Sequence, residues 1–158
     1  MWARAVLCLI MPMAMLSACG MPRDPGGTFH RVRNGTMRVG ITENPPWVLT
    51  RGERPSGIEP RLLQRLAQRL DAQIEWRIGS ESALATALRN GELDVVAGGL
   101  TDSTPWSSHA GMTLPYVTAG QDRYVMIVRQ GENRWLLELD RFLHDSRAEA
   151  ARLAGPGA

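Results

Sequence analysis

Between residues 37 and 97 the sequence switches repeatedly between strand-like and helix-like patterning, and this alternation limits the possible folds more than any other feature. Met37-Arg-Val-Gly-Ile41 is a short β-type run. Leu62, Leu63, Leu66, Ala67 and Leu70 then recur at helical spacing on one face. Gln73 to Ile78 alternates, with Ile74, Trp76 and Ile78 on one side and Glu75 and Arg77 on the other, which predicts a strand with one covered face. Ala83–Arg89 reads as a short helix that Ser80 or Ser82 can cap and Asn90-Gly91 can end. Leu93 to Ala97 is apolar throughout except for Asp94. Strands that alternate with helices are joined by crossovers, so the expected fold is α/β: three layers, with a mostly parallel sheet flanked by helices.

Punctuation refines the picture. Glu43-Asn-Pro-Pro-Trp47 closes the first strand, because paired prolines cannot continue a central one. The following helix is expected from Glu59, with Pro60 suited to its first position. Arg61, Arg65 and Arg69 repeat along a second face of that helix, which reads as solvated. Residues 101–122 show little periodicity apart from Thr113–Val117. Tyr124–Val128 is a last strong strand, and Asn133 can cap a helix carrying Trp135, Leu136, Leu139, Phe142 and Leu143. These signals place one folded lobe at residues 36–145 and a frayed tail at 146–158.

The first 18 residues read as an address. One positive charge precedes an apolar run from Ala5 to Leu16, which is too short to span a bilayer as a helix. Leu16-Ser-Ala-Cys19 resembles the bacterial lipoprotein cleavage box, so Cys19 is the expected lipidation site. Acyl chains there would tether the protein to a membrane at ~0.8 kcal/mol per buried CH₂. Residues 19–35, with Pro22, Pro25, Gly26 and Gly27, are then expected to be a flexible tether.

Several function classes are disfavoured. Eighteen basic residues, all arginine, face 16 acidic ones and are interspersed with them, so no nucleic-acid face stands out. Both cysteines, Cys8 and Cys19, precede residue 20, which leaves no cysteine-based metal site or disulfide framework beyond them. His30, His109 and His144 lack ligand spacing, Gly98-Gly99-Leu-Thr lacks the ending of a phosphate loop, and there is no nucleophile elbow. No metal, cofactor or catalytic residue is therefore expected. In a sheet of this kind ligands sit beyond the carboxyl ends of the strands, here Thr42–Trp47, Gly79–Ser82 and Gly98–Trp106.

Val39-Gly-Ile41 with Pro45-Pro-Trp47, Gly57-Ile-Glu59 before Leu62–Leu70, Ala87-Leu88 with Gly91-Glu-Leu-Asp94, Gly98-Gly-Leu-Thr101 and Pro115-Tyr116 occur in this order. Together they resemble the bacterial extracellular solute-binding proteins of family 3, the polar amino acid receptors of ABC importers. That resemblance implies one lobe of a type II periplasmic binding fold. It also implies a second lobe after Pro115-Tyr116, but only Val117–Asp122 intervene before the far segment of the first lobe resumes. The second lobe is thus expected to be missing. Trp106 stands where the family carries a carboxylate-binding arginine, and Arg61 stands where its helix start usually carries an aspartate.

The expected function is non-catalytic binding of a small, amino-acid-like solute on the periplasmic side of the cell envelope, for an ABC-type transporter or a sensor. The expected site comprises Glu43, Asn44, Trp47, Gly99, Leu100, Thr101 and Trp106. Trp47 and Trp106 would stack on the ligand, Glu43 would meet a positive group, and Gly99 would let the ligand approach the backbone. In a plainer reading either Trp packs its own loop. A homodimer could rebuild a closed cavity. The alternative is an envelope interaction or accessory protein that uses the exposed lobe face. Related domains also occur fused to lytic transglycosylases.

Overall fold

The computed structural model describes residues 23–155. The address segment and Cys19 lie outside that range. The elements are α1 (Thr28–Val32), β1 (Thr36–Ile41), α2 (Ile58–Arg69), β2 (Gln73–Ile78), α3 (Glu81–Arg89), β3 (Val95–Thr101), β4 (Ala110–Met112), β5 (Val117–Ala119), β6 (Asp122–Arg129), α4 (Asn133–Asp145) and α5 (Arg147–Ala154), with one 3₁₀ turn at Pro105–Ser108.

The sheet order is β2-β1-β3-β6-β4, and β5 also pairs with β6. β1 lies parallel to β2 and β3. β6 is antiparallel to β3, β4 and β5, so it alone runs against the other strands. Helices cover both faces, as an α/β chain of this patterning predicts. On one face α1, α2, α4 and α5 enclose Met37, Val39, Ile41, Val95, Ala97, Met126 and Val128. On the other, α3 covers Val96, Leu100, Val125 and Ile127. Burial of side chains such as Leu62, Leu63 and Leu66, each worth ~1.5–3 kcal/mol, holds α2 against the sheet.

Three segments differ from expectation. Residues expected to form a flexible tether instead build α1, whose Phe29 and Val32 are buried. The Glu132 carboxylate accepts from the Gly26 and Thr28 amides at 2.7 and 3.2 Å, and Asp24 accepts from the Phe29 amide at 2.9 Å. From α1, Arg31 forks onto Asp94 at 2.6 and 3.1 Å. Five residues rarely form a helix alone; side chains distant in sequence stabilise this one. It is also Glu132, rather than Asn133, that occupies the N-cap of α4, with its side chain turned toward α1.

The expected frayed tail is α5 as far as Ala154, with Ala150 fully buried. The arginine face of α2 accounts for this. Arg61 and Arg65 pair with Glu149, Arg61 at 3.3 Å, and Arg69 reaches Asp145 at 3.5 Å. The stripe is a ladder between helices as well as a wetted surface.

The third difference is in β3, which continues past Ala97 to Thr101 through a bulge: Val96 faces Ile127, whereas Leu100 faces Val125. Gly99, at φ +64°, supplies the kink. Finally, β5 and β6 form a tight hairpin in which Val117 pairs with Tyr124 and Ala119 with Asp122. The turn at Gly120-Gln121 falls where the family resemblance implies a crossing to a second lobe.

Candidate functional site

The carboxyl ends of β1 and β3 lie side by side, and the loops leaving them form a rim. After β1, the Thr42 hydroxyl donates to the Gly79 carbonyl, tying the rim to the end of β2. Asn44 and Val48 exchange backbone hydrogen bonds at 2.9 Å, and the Asn44 side-chain amide donates to the Gly98 carbonyl at 2.9 Å. The loop then docks on α2. The Ile58 and Glu59 amides, which the helix itself leaves unpaired, donate to the Pro46 and Trp47 carbonyls at 3.3 and 3.0 Å. This approach requires glycine at position 57, because a Cβ there would lie 2.7 Å from the Trp47 carbonyl oxygen.

Beneath the rim is a buried polar knot. Glu59, with no exposed surface, accepts from the Gly99 amide at 2.9 Å through Oε2 and from the Tyr116 hydroxyl at 2.7 Å through Oε1. Burial pushes the Glu59 carboxyl up to about 7 from an ordinary 4.5, although the donors from Tyr116, Gly99 and Gly98 oppose the rise. Burial also raises the Tyr116 hydroxyl, with the adjacent Glu59 charge adding to it. The bulge turns the Gly99 amide out of the strand ladder, and the carboxylate takes it up. Trp47 roofs this knot, stacked on Tyr124 at 3.8 Å between ring centroids and edge-on to Tyr116 at 6.3 Å.

The expected site residues therefore separate. Asn44, Trp47 and Gly99 come together: a Cβ on Gly99 would lie 2.5 Å from Asn44 Nδ2 and 2.6 Å from Trp47 Cδ1. Thr101 ends β3 nearby, its hydroxyl 2.8 Å from that of Ser103. Glu43 is exposed on the rim but engaged, accepting from the Thr50 hydroxyl and lying 3.4 Å from Arg51. Trp47 is only 5% exposed, so it supports the rim from below and presents little ring to solvent.

Leu100 and Trp106 leave the group. Leu100 is buried beneath α3, because the bulge restores its alternation with Val96. Trp106 packs against that same cluster, with Nε1 3.5 Å from Glu81 Oε2, beside a cavity of about 120 Å³ that it lines with Ala85, Thr86 and Arg89. Trp47 belongs to the core on the opposite face of the sheet. The two tryptophans therefore cannot sandwich one ligand, which overturns that part of the expected site.

Sequence reasoning passed over Glu59, Tyr116 and Tyr124 as site-building residues. A signal existed for Glu59: it lies three and four residues before Leu62 and Leu63, on the apolar face of α2, where an acid has to be paired.

Comparison with known proteins is consistent with this geometry. The family described as bacterial extracellular solute-binding proteins, family 3, matches residues 37–152. The membrane-bound lytic murein transglycosylase F of Vibrio cholerae is 31% identical over 91 residues, 56% of this chain and 17% of that protein. The transglycosylase F of Photobacterium profundum is 29% identical over 133 residues, 83% of this chain and 25% of that one. The probable amino-acid-binding protein YxeM of Bacillus subtilis is 24% identical, with 73% of this chain and 42% of that one covered. The chain thus spans 17% to 27% of the length of the transglycosylases it matches. Among solved structures, the arginine-bound form of domain 1 from TmArgBP superposes with a TM-score of 0.66 at 20% identity, covering 73% of this chain and 97% of that one. The unliganded, open L-cystine solute receptor of Neisseria gonorrhoeae gives 0.68 at 12% identity, with 82% and 98% covered.

Proposed function

The chain belongs to the bacterial extracellular solute-binding proteins, family 3, and from that premise we propose that it is a single-lobe receptor that binds a small, amino-acid-like solute at the β1–β3 rim without transforming it. The observation that carries this reading is the bulge at Gly99. It leaves a backbone segment partly open to solvent between Asn44 and Thr101, while Glu59 holds it from behind. A rim locked in this way can offer its polar groups to a ligand with little reorganisation, which lowers the cost of binding. The solute contacts fall to Glu43, Asn44, Gly99 and Thr101, with Trp47 as their support. An isolated domain 1 of TmArgBP described in its arginine-bound form supports the idea that one lobe suffices to hold a ligand.

The same proposal places the protein on the envelope side of a bacterial membrane, anchored through a lipidated Cys19 and passing solute to an ABC-type permease or a sensor. Replacing Cys19 with Ser should release it from membranes; a variant that stays bound would remove the anchor.

A second reading, an envelope accessory protein that docks through the uncovered lobe face, is favoured by one observation. β5 and β6 are joined by the short turn at Gly120-Gln121, and Pro45, Pro46 and Leu114, the last 63% exposed, are left uncovered by the described residues. The deciding experiment is a thermal-shift screen of free amino acids, with the mass in solution measured alongside. A solute that raises the melting temperature supports the receptor. A monomer that none of them stabilises favours docking.

A further inference from the structure

We propose that the outer edge of β2 is a self-association surface, where a second copy of this chain adds its own β2 antiparallel to the first, centred on Trp76. Among the described residues, β2 ends the sheet and pairs only with β1. The Gln73 amide donates to the Gly35 carbonyl and the Gly79 amide to the Ile41 carbonyl. The amide and carbonyl of one strand residue point to the same side, so the odd-numbered residues face β1. Ile74, Trp76 and Ile78 therefore direct their backbone donors and acceptors away from the sheet. Such a row is a template for another strand.

The sequence of the strand selects its partner. Pairing of outward-facing residues requires even-numbered positions to oppose even-numbered ones. Centred on Trp76, the two copies set Ile74 opposite Ile78 and Trp76 opposite Trp76, each pair exchanging both backbone hydrogen bonds. Glu75 of each copy then falls opposite Arg77 of the other in a non-hydrogen-bonded pair, the closer kind, at about 4.5 Å between Cα atoms. The neighbouring even registers place Glu75 against Glu75 or Arg77 against Arg77, so charge rejects both. Glu75 makes no ion pair with any described residue, and Arg77, 54% exposed, holds only Glu92, at 2.7 Å.

The apolar side of the strand fits the same partner. Ile78 is 58% exposed, and Ile74 and Trp76 are only half-buried. With Gln64, Ala67 and Gln68 of α2 they line an open groove of about 700 Å³ along the edge. A second Trp76 and Ile78 would extend this row and remove it from water. Antiparallel pairing sends the two rims to opposite ends of the assembly, so this dimer is distinct from a face-to-face closure over a ligand.

The test is sedimentation over a concentration series without solute, on the wild type, on Glu75→Arg, on Arg77→Glu, and on an equal mixture of the two variants. The wild type is expected to dimerise as concentration rises. Glu75→Arg places four arginines together and Arg77→Glu four glutamates, so each alone should be monomeric with its melting temperature retained. Mixed, they restore both unlike pairs and should form a heterodimer. Ile78→Pro, which deletes an outward donor and leaves the β1 ladder intact, should also be monomeric. A wild type that stays monomeric throughout overturns the proposal. So does a charge variant or proline variant that dimerises like the wild type, or a mixture that stays monomeric.

Discussion

The hydroxyl of Tyr116 donates to Oε1 of Glu59 at 2.7 Å, joining the first turn of α2 to the segment that leads into β5, 57 residues away in sequence. The other oxygen of the same carboxylate holds the Gly99 amide. One buried acid thus connects three parts of the chain that meet only when the lobe is folded.

The raised Glu59 carboxyl makes stability depend on pH. The unfolded chain releases this proton near 4.5 and the folded one near 7. Below 4.5 both states hold it, and the contribution is fully present. As pH rises toward 7 only the folded state keeps the proton, so stability falls, by ~3 kcal/mol once both have lost it. Urea midpoints at pH 5 and pH 8 measure this. The wild type should have the lower midpoint at pH 8, and Glu59→Gln should flatten the difference. Equal wild-type midpoints would show that the carboxyl is not shifted.

Tyr116→Phe removes one donor and leaves a buried carboxylate oxygen unpaired. It should destabilise the lobe by ~1–3 kcal/mol. The loss should be larger at pH 8 than at pH 5, because the charged form needs the hydroxyl more. A loss independent of pH would mean that only packing of the ring had changed.

Asp94 carries the opposite sign. Burial alone would raise it, but the forks of Arg31 and Arg38 outweigh burial and hold it below 3.8. Its contribution is present above 3.8 and is lost as pH falls through the folded value. Arg31 also anchors α1, so a chain starting at Thr36 should melt well below the full chain: it lacks this pair and the burial of Phe29 and Val32, ~1.5–3 kcal/mol per side chain. Differential scanning calorimetry of the two chains decides it, and unchanged melting would restore the tether reading.

Gly99→Ala should be more damaging than an exposed glycine replacement ordinarily is. The new Cβ collides with Asn44 and Trp47 at a backbone angle of +64°. Near-UV circular dichroism should report a disturbed Trp47–Tyr124 stack together with a lowered melting temperature. A native spectrum would show that the rim tolerates displacement.

The separation of the two tryptophans predicts unequal effects on solute binding. With a solute that stabilises the wild type, Thr101→Ala or Asn44→Ala should shrink the thermal shift, and Trp106→Ala should leave it unchanged. The reverse pattern would move the site to the α3 side of the sheet. Trp47→Ala is a poor probe, since removing a 5% exposed aromatic from the core costs ~3–5 kcal/mol by itself.

The parts of the fold legible in advance are those whose stability is written locally. The apolar face of α2, the alternation of β2 and the Ser80 cap of α3, whose side chain accepts from the Ala83 amide, are periodic or short-range signals. β4 and β5, three residues each, carry no period of their own and exist because β6 offers them an edge. Of the site, the rim was legible because topology places ligands at strand ends. Its separation into Asn44, Trp47 and Gly99 on one side and Leu100 and Trp106 on the other was not, because the apolar run was expected to end at Ala97, and only the continuation of β3 to Thr101 fixes the face on which Leu100 lies.

By itself, then, the order of periods and turns determined an α/β lobe whose strand-end loops form a rim, since hydrophobic spacing and chain connectivity are properties of the sequence, and the want of a second lobe was what the family resemblance implied. Only the tertiary structure decided that Glu59 braces Gly99, that α1 and α5 belong to the core, and that the two tryptophans lie on opposite faces. Each of those outcomes depends on hydrogen bonds, ion pairs or packing between residues far apart along the chain, and their energies exist only after the layers have come together.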